Sequence, residues 1–260
     1  MSPIQDYLKK SKKIIQVVEK QQVAMEQGAQ WFAETILAGR MVHVFGSGHS
    51  RIMVEEMWPR YGSFAGFNPI VELSLTFHNL VVGANGQRQA MFLENVSGLA
   101  ERILRNFDTS TLDTALIISS SGTNIVPVEM AEIFRKQGIK VVSIITKAHS
   151  KASKSKRKDG KKLSDFSDLV LDTGAPKGDA MVYIEGLDTP VAPGSTIGGA
   201  LIINCLKAET ARLLTAAGQP PKVLSAANIV GTERAVALFE GAYDDHAHRL
   251  AKLYENIGNK

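Results

Sequence analysis

From residue 6 to residue 37 apolar side chains recur at three- and four-residue steps, through Ile14, Val17, Val18, Met25, Trp31, Phe32, Ile36 and Leu37, with no proline among them. That is a helical period, and it predicts a long helix or a helix pair ended by Gly39. The pattern then changes. Short apolar runs bounded by small polar residues predict buried strands over 41–45, 115–119, 140–146 and 169–172, and amphipathic stretches predict helices over 50–58, 93–107, 125–137 and 196–217. After a turn at Pro220 and Pro221, a charged stretch predicts a final helix over 232–254. Strand and helix alternate, so the expected fold is α/β: a parallel sheet covered by helices on both faces, in three layers. No repeat or Gly/Ser linker marks a second domain. The expected division is a helical extension over 1–40, the sheet domain over 41–217, and a closing turn and helix over 218–260.

Two strand ends carry chemistry. The first predicted strand runs into Gly46-Ser47-Gly48-His49-Ser50, and the second into Ser119-Ser120-Ser121-Gly122-Thr123-Asn124. Small residues at the end of a buried strand present hydroxyls and backbone N–H groups at the N-terminus of the next helix, where the helix dipole favours an anion. Two such turns in one sheet make a pocket for one phosphorylated small molecule, although a Ser-rich strand end can also simply cap a helix. Neither turn is a nucleotide fingerprint. Arg51 stands where G-x-G-x-x-G needs its third glycine, and no Gly-Lys-Ser/Thr follows either strand, so neither a dinucleotide nor ATP is expected.

These turns, followed by the strand sequence KVVSIIT and by PGSTIGGAL at 193–201, resemble the sugar isomerase (SIS) domain family over residues 41–214. The recurrence of GHS, NPI, PVEMA, GDA and a basic stretch is most similar to the stand-alone sugar-isomerase-domain proteins. The resemblance implies a flavodoxin-like, phosphosugar-binding α/β domain, commonly a homodimer, with Ser47, Gly48, Ser50, Ser119, Ser120, Ser121, Gly122, Thr123, Asn124, Ser195 and Thr196 as the substrate-binding set. It does not imply one reaction. Aldose–ketose isomerisation, ether cleavage or deamination of an amino-sugar phosphate, and non-catalytic sensing all remain open. Sensors of this superfamily usually carry a helix-turn-helix domain, and the stretch before Met41 is short for one and lacks its signature.

Catalysis would need an acid/base group beside the anion site. Glu56 is the expected base: the stretch Glu56 to Gly62 resembles the Glu-x-x-Pro-x-x-Gly segment of N-acetylmuramic acid 6-phosphate etherases, with the Glu about one helical turn nearer the Gly-rich turn than in those enzymes. Placed next to the apolar stripe of Ile52, Met53 and Met57, it would be partly desolvated, with a raised pKa. Glu55 is expected to be exposed. His49, inside the first turn, and His78 are the expected ring-opening acids, against the readings of a plain cap neighbour and a satisfied core histidine. Glu94 at a helix start is explained by the dipole alone, and Glu209 as structural.

The rest narrows the class. The 260 residues are 44% hydrophobic, enough for a full core, and no stretch approaches a membrane span or a secretory signal. The single cysteine, Cys205, excludes an internal disulfide framework and reads as a buried small hydrophobe in a reducing compartment, the cytoplasm. His246 and His248 are two apart and cannot share a helix face, so no metal and no cofactor is expected. The net charge of +4 is concentrated in residues 147–162, which hold eight Lys or Arg against one Asp, and the remainder is acidic. Without aromatic residues this stretch cannot stack on bases, so no nucleic-acid partner is expected. It reads as a solvated, mobile loop, or as a lid that draws an anion toward the pocket.

Overall fold

The computed structural model describes residues 1–76 and 86–257. Five strands, β1 (Val42–Gly46), β2 (Phe67–Ile70), β3 (Thr114–Ile118), β4 (Lys140–Ile145) and β5 (Leu169–Asp172), form one parallel sheet in the order β2-β1-β3-β4-β5. The chain leaves β1 toward β2 on one side, and the rest of the sheet builds on the other side from β3. A doubly wound sheet has its ligand crevice where that order reverses, at the carboxyl ends of the strands.

Strand alternation decides which layer each side chain joins. Val42, Val44, Leu116, Ile118, Val142, Ile144 and Leu171 face a core built with α2 (Gln22–Leu37), α3 (Arg51–Met57) and α9 (Ser195–Ala216), where Phe32, Met57, Ile202, Ile203 and Leu206 are buried. Phe45, Ala115, Ile117, Val141 and Ile145 face the opposite layer of α6 (Leu99–Leu104) and α7 (Ile125–Lys136), with Ile103, Leu104, Val126 and Phe134. Each such fully buried Val, Leu, Ile, Phe or Met side chain contributes about 1.5–3 kcal/mol. A smaller cluster joins α1 (Pro3–Glu19) to a hairpin of β6 (Ala180–Val182) and β7 (Val191–Pro193), through Ile14, Ala175, Met181 and Val182. The Tyr7 hydroxyl on Pro193 O (2.8 Å) and the Lys10 ammonium on Met181 O (2.6 Å) fasten that hairpin.

The far end of the sheet carries a buried polar network. Asp113, entering β3, accepts from Arg40 Nε (2.7 Å) and Nη2 (3.0 Å) and pairs with His43 Nε2 (3.1 Å), while Asn68 Nδ2 donates to His43 Nδ1 (3.0 Å). Burial works to raise the Asp113 carboxyl, but the bonds from His43 and Arg40 outweigh it and hold it below the ordinary value.

Several expectations need correction. The strand β2 went unread because Asn68 and Pro69 interrupt its apolar run; as an edge strand it can carry a proline. Of the helix expected over 93–107 only α6 forms; residue 93 is the last of α5 (Gln87–Leu93), and Gly98, whose φ is +84°, lies between the two. Glu94 therefore closes a helix and does not open one. Cys205 is exposed, because Ile202, Ile203 and Leu206 form the inward face of α9. The basic stretch carries α8 (Lys147–Ala152) and then takes a defined course over the sheet end. The chain is completed by α4 (Leu73–Thr76), α10 (Ala227–Val230) and α11 (Thr232–Tyr254), and no helix among the described residues is long and apolar enough to cross a membrane.

Candidate functional site

At the carboxyl end of β1 the chain turns back at once. A Cβ on Gly46 would lie 2.7 Å from Ser50 O, so only glycine lets the turn fold this tightly, and Gly48 adopts φ +58°. Ser47 follows β1 in extended conformation; its side chain caps nothing and instead donates to Glu94 Oε2 at 2.7 Å. At the end of β3 the second turn closes on itself. The Gly122 N–H (φ +62°) reaches Ser119 O (3.1 Å) and Oγ (3.2 Å), and Thr123 gives its N–H (3.3 Å) and hydroxyl (2.9 Å) to Ser121 Oγ. The N–H groups of Ser120, Ser121 and Asn124 meet no acceptor among the described residues. A row of hydroxyls crosses the strand ends, from Ser120 to Thr146 (3.1 Å) to Thr173 (2.7 Å).

Between the turns lies a cavity of about 250 Å³. Ser47, Gly48, His49 and Ser50 line it from the first turn, Ser119, Ser120, Ser121 and Asn124 from the second, and Ser195 and Thr196 from the start of α9. Ten of the expected residues are thus brought together at the switch point. Gly122 and Thr123 do not line the cavity; both are buried and shape the turn beneath it. Ser195 lines the cavity with its donors already used: Asp179 Oδ1 accepts its N–H (2.7 Å), and Oδ2 its hydroxyl (2.8 Å). Asp179 holds this position at φ +70°, unusual for a residue with a side chain, and itself lines the cavity.

The structure does not bring the expected base beside the two turns. Glu56 lines a separate cavity of about 700 Å³ with Glu55, Arg60, Tyr61, Phe239 and Tyr243. Starting at Arg51, α3 turns Glu56 toward α9, where Asn204 Nδ2 donates to it (2.8 Å), Arg60 pairs with it, and the Lys207 ammonium takes its main-chain carbonyl (2.8 Å). Burial works to raise its carboxyl, but Asn204 and Arg60 outweigh it and leave it below the ordinary value, the reverse of the expected shift. Glu55 is exposed and pairs with Arg51. His78 lies outside the described residues.

Among the described residues two carboxylates line the switch-point cavity: Asp179, which accepts from Gly194 and Ser195, and Glu94. The Glu94 main-chain carbonyl accepts the Val126 N–H (2.9 Å), which pins the end of α5 against the start of α7 and brings the side chain between the two turns. Burial pushes the Glu94 carboxyl above its ordinary value, against the opposing effects of Ser47, Lys156 and Asn124. The sequence held one signal for this, Gly98 breaking the 93–107 pattern soon after Glu94. His149 also lines the cavity, with Nδ1 accepting the Gly178 N–H (2.9 Å), and nothing in the basic stretch singled it out. Glu209 is paired with Arg212 on the surface. Among the described residues no three His, Cys, Asp or Glu side chains come together as a metal centre would need.

The profile of the SIS domain matches residues 6–146. A UPF0309 protein of Halalkalibacterium halodurans is 35% identical over 89% of this chain and 94% of its own length, and a second from the same organism is 31% identical over 97% and 94%. A UPF0309 protein of Listeria monocytogenes serotype 4b is 34% identical over 89% and 90%. Among solved structures, phosphoheptose isomerase from Neisseria gonorrhoeae aligns over 82% of this chain and 97% of its own, with a TM-score of 0.49 and 13% identity. With a profile matching more than half its length and relatives matching nearly all of it, the chain belongs to the SIS domain family.

Proposed function

We propose that the switch-point cavity binds a phosphorylated sugar and that Glu94 moves a proton between two neighbouring carbons of it, an aldose–ketose isomerisation. The carrying observation is a partly desolvated carboxylate with a raised pKa, set between two hydroxyl-rich turns at the ends of adjacent parallel strands. The turn of Ser119 to Asn124 supplies N–H groups that no protein acceptor among the described residues takes, and an oxyanion is their natural partner. In the reaction the Glu94 carboxylate takes the proton from the carbon beside the carbonyl and an enediolate forms; the hydroxyl proton on that carbon's oxygen passes to the former carbonyl oxygen, and the proton on Glu94 returns to the former carbonyl carbon. No cofactor is required for that balance. A carboxyl with a raised pKa suits this work near neutral pH. His49, on the first turn, is the histidine of this reading that lines the cavity, and it donates to the ring oxygen as the sugar opens. Glu94 takes the place of Glu56, which lines the other cavity.

We also propose that the chain pairs with a second copy. Most of the inward face of α9 is occupied by α2 and α3, whereas Val236, Phe239 and Tyr243 leave an apolar stripe exposed along α11. Sedimentation at the single-chain mass of 28.2 kDa at micromolar concentration would remove this.

The binding claim is tested by thermal shift against a panel of aldose and ketose phosphates, their unphosphorylated parents and inorganic phosphate. A cognate sugar phosphate at a hundred times its Kd should raise Tm by roughly 5 °C. The parent sugar should not. A panel in which phosphorylation makes no difference contradicts the reading.

A further inference from the structure

The end of β4 brings a second histidine to the cavity. β4 is tied to the second turn by the Ser119 N–H on Ile144 O (3.0 Å) and the Thr146 N–H on Ser120 O (2.9 Å). α8 starts directly after Thr146, with the Lys147 N–H on Asp172 Oδ1 (2.9 Å) at the end of β5. The His149 carbonyl accepts the Ser153 N–H (3.0 Å) and hydroxyl (2.9 Å). The backbone of His149 is thus held by two strand ends and by the end of its own helix.

Its ring is held from the other side. Gly178 (φ +81°) and Asp179 (φ +70°) are consecutive left-handed residues. A residue with a side chain keeps that conformation only where its surroundings enforce it. The Gly178 N–H donates to His149 Nδ1 (2.9 Å), and the Asp179 carboxylate accepts the N–H groups of Gly194 (3.1 Å) and Ser195 (2.7 Å) and the Ser195 hydroxyl (2.8 Å). One turn therefore joins α8 to the start of α9.

A ring nitrogen that accepts an N–H carries no proton, so His149 is a neutral imidazole with its proton on Nε2. The ring lines the cavity, and among the described residues its Nε2–H donates to no protein acceptor. A donor fixed in place by the backbone needs no reorganisation to meet an oxygen on which negative charge develops. The cavity, about 250 Å³, has room for one small ligand, so Glu94 and His149 meet the same molecule.

We propose that His149 is a catalytic donor: its Nε2–H holds the carbonyl oxygen of the opened sugar and stabilises the negative charge that gathers there as the enediolate forms. The proton stays on Nε2 throughout. The target of this bond rests on the proposed function, whereas the tautomer needs no substrate.

The test has two readings. The first uses the full-length protein without ligand at about pH 8, above the ordinary titration range of histidine. Long-range proton–nitrogen correlation spectra should show the His149 proton on Nε2 and none on Nδ1, its signals identified by their absence from H149N. A proton on Nδ1 overturns the proposal. The second measures by calorimetry the affinities for inorganic phosphate and for 5-phosphoarabinonate and 6-phosphogluconate, whose carboxylate oxygens stand in for the enediolate. H149N keeps an acceptor for Gly178 but has no N–H at the place of Nε2, and H149F lacks both. Each should weaken the better-bound aldonate phosphate roughly tenfold to a hundredfold, as for a lost hydrogen bond to a charged group, and leave inorganic phosphate unchanged. Wild-type affinity for the aldonate phosphate in H149N, or an equal loss for inorganic phosphate, overturns the proposal, because the ring would then only hold the Gly178 turn or the anion turns. A wild type that binds the aldonate phosphates no better than the unphosphorylated acids would overturn the proposed function, and the target of His149 with it, while the tautomer result stands.

Discussion

Ser47, at the end of β1, donates its hydroxyl to Glu94, at the end of α5, across 2.7 Å. That bond favours the charged carboxylate, while burial favours the neutral acid and wins. S47A removes a donor from the charged form only, so the Glu94 pKa should rise further. The acid limb of the pH–rate profile should then move to higher pH, with less carboxylate present at any given pH. A limb that stays in place, or moves down, means that Glu94 is not the group titrating.

The second turn should hold the anion. Ser121 and Thr123 are hydrogen-bonded to each other, so S121A together with T123A both loosens the turn and removes hydroxyls beneath the ligand. Affinity for the phosphorylated ligand should fall by about 2–4 kcal/mol, as for lost hydrogen bonds to a charged group. Calorimetric titration reads this directly, with circular dichroism confirming the fold. Unchanged affinity would put the anion elsewhere.

Gly198 is fixed by the sheet. A Cβ there would lie 1.9 Å from Thr173 O, so α9 touches the end of β5 only because no side chain intervenes. G198A must push the start of α9, with Ser195 and Thr196, off the sheet. It should cost at least about 3 kcal/mol in denaturant unfolding. A loss under about 1 kcal/mol would show that the contact is soft.

Acid stability should follow Asp113. Its folded pKa lies below the unfolded value, so its contribution is complete above an unfolded pKa of about 3.9 and is lost as pH falls through the lower folded value. D113N, which leaves Arg40 and His43 without their carboxylate, should lose about 3 kcal/mol near pH 7. The difference from wild type should shrink as pH falls below about 3.9 and through the lower folded pKa. Urea melts across that range check it; a difference independent of pH would contradict it.

The fold was legible because period and polarity act locally. The strand at Leu169–Asp172 and the helix at Thr232–Tyr254 have the bounds read from the sequence, and both Ser-rich turns lie at strand ends. The site was legible only in part. Hydroxyls and glycines announce an anion turn by composition, but the direction of a carboxylate depends on where its helix starts and stops. Glu56 faces α9 because α3 starts at Arg51, and Glu94 reaches the cavity because α5 ends at Leu93. The basic stretch looked featureless for a related reason. Main-chain carbonyls of Thr123, Gly122, Ser150 and Ser153 hold it, and carbonyls carry no sequence signal.

The central claim is that Glu94 moves a carbon-bound proton of a phosphorylated sugar. The most direct test incubates the cognate sugar phosphate with the protein in deuterium oxide and follows by proton NMR the exchange of the hydrogen beside the carbonyl. The wild type should exchange it. E94Q should exchange it about a hundred- to ten-thousandfold more slowly while still binding the sugar phosphate. Exchange in E94Q at the wild-type rate, or a wild type that binds the sugar phosphate and exchanges nothing, would contradict the account.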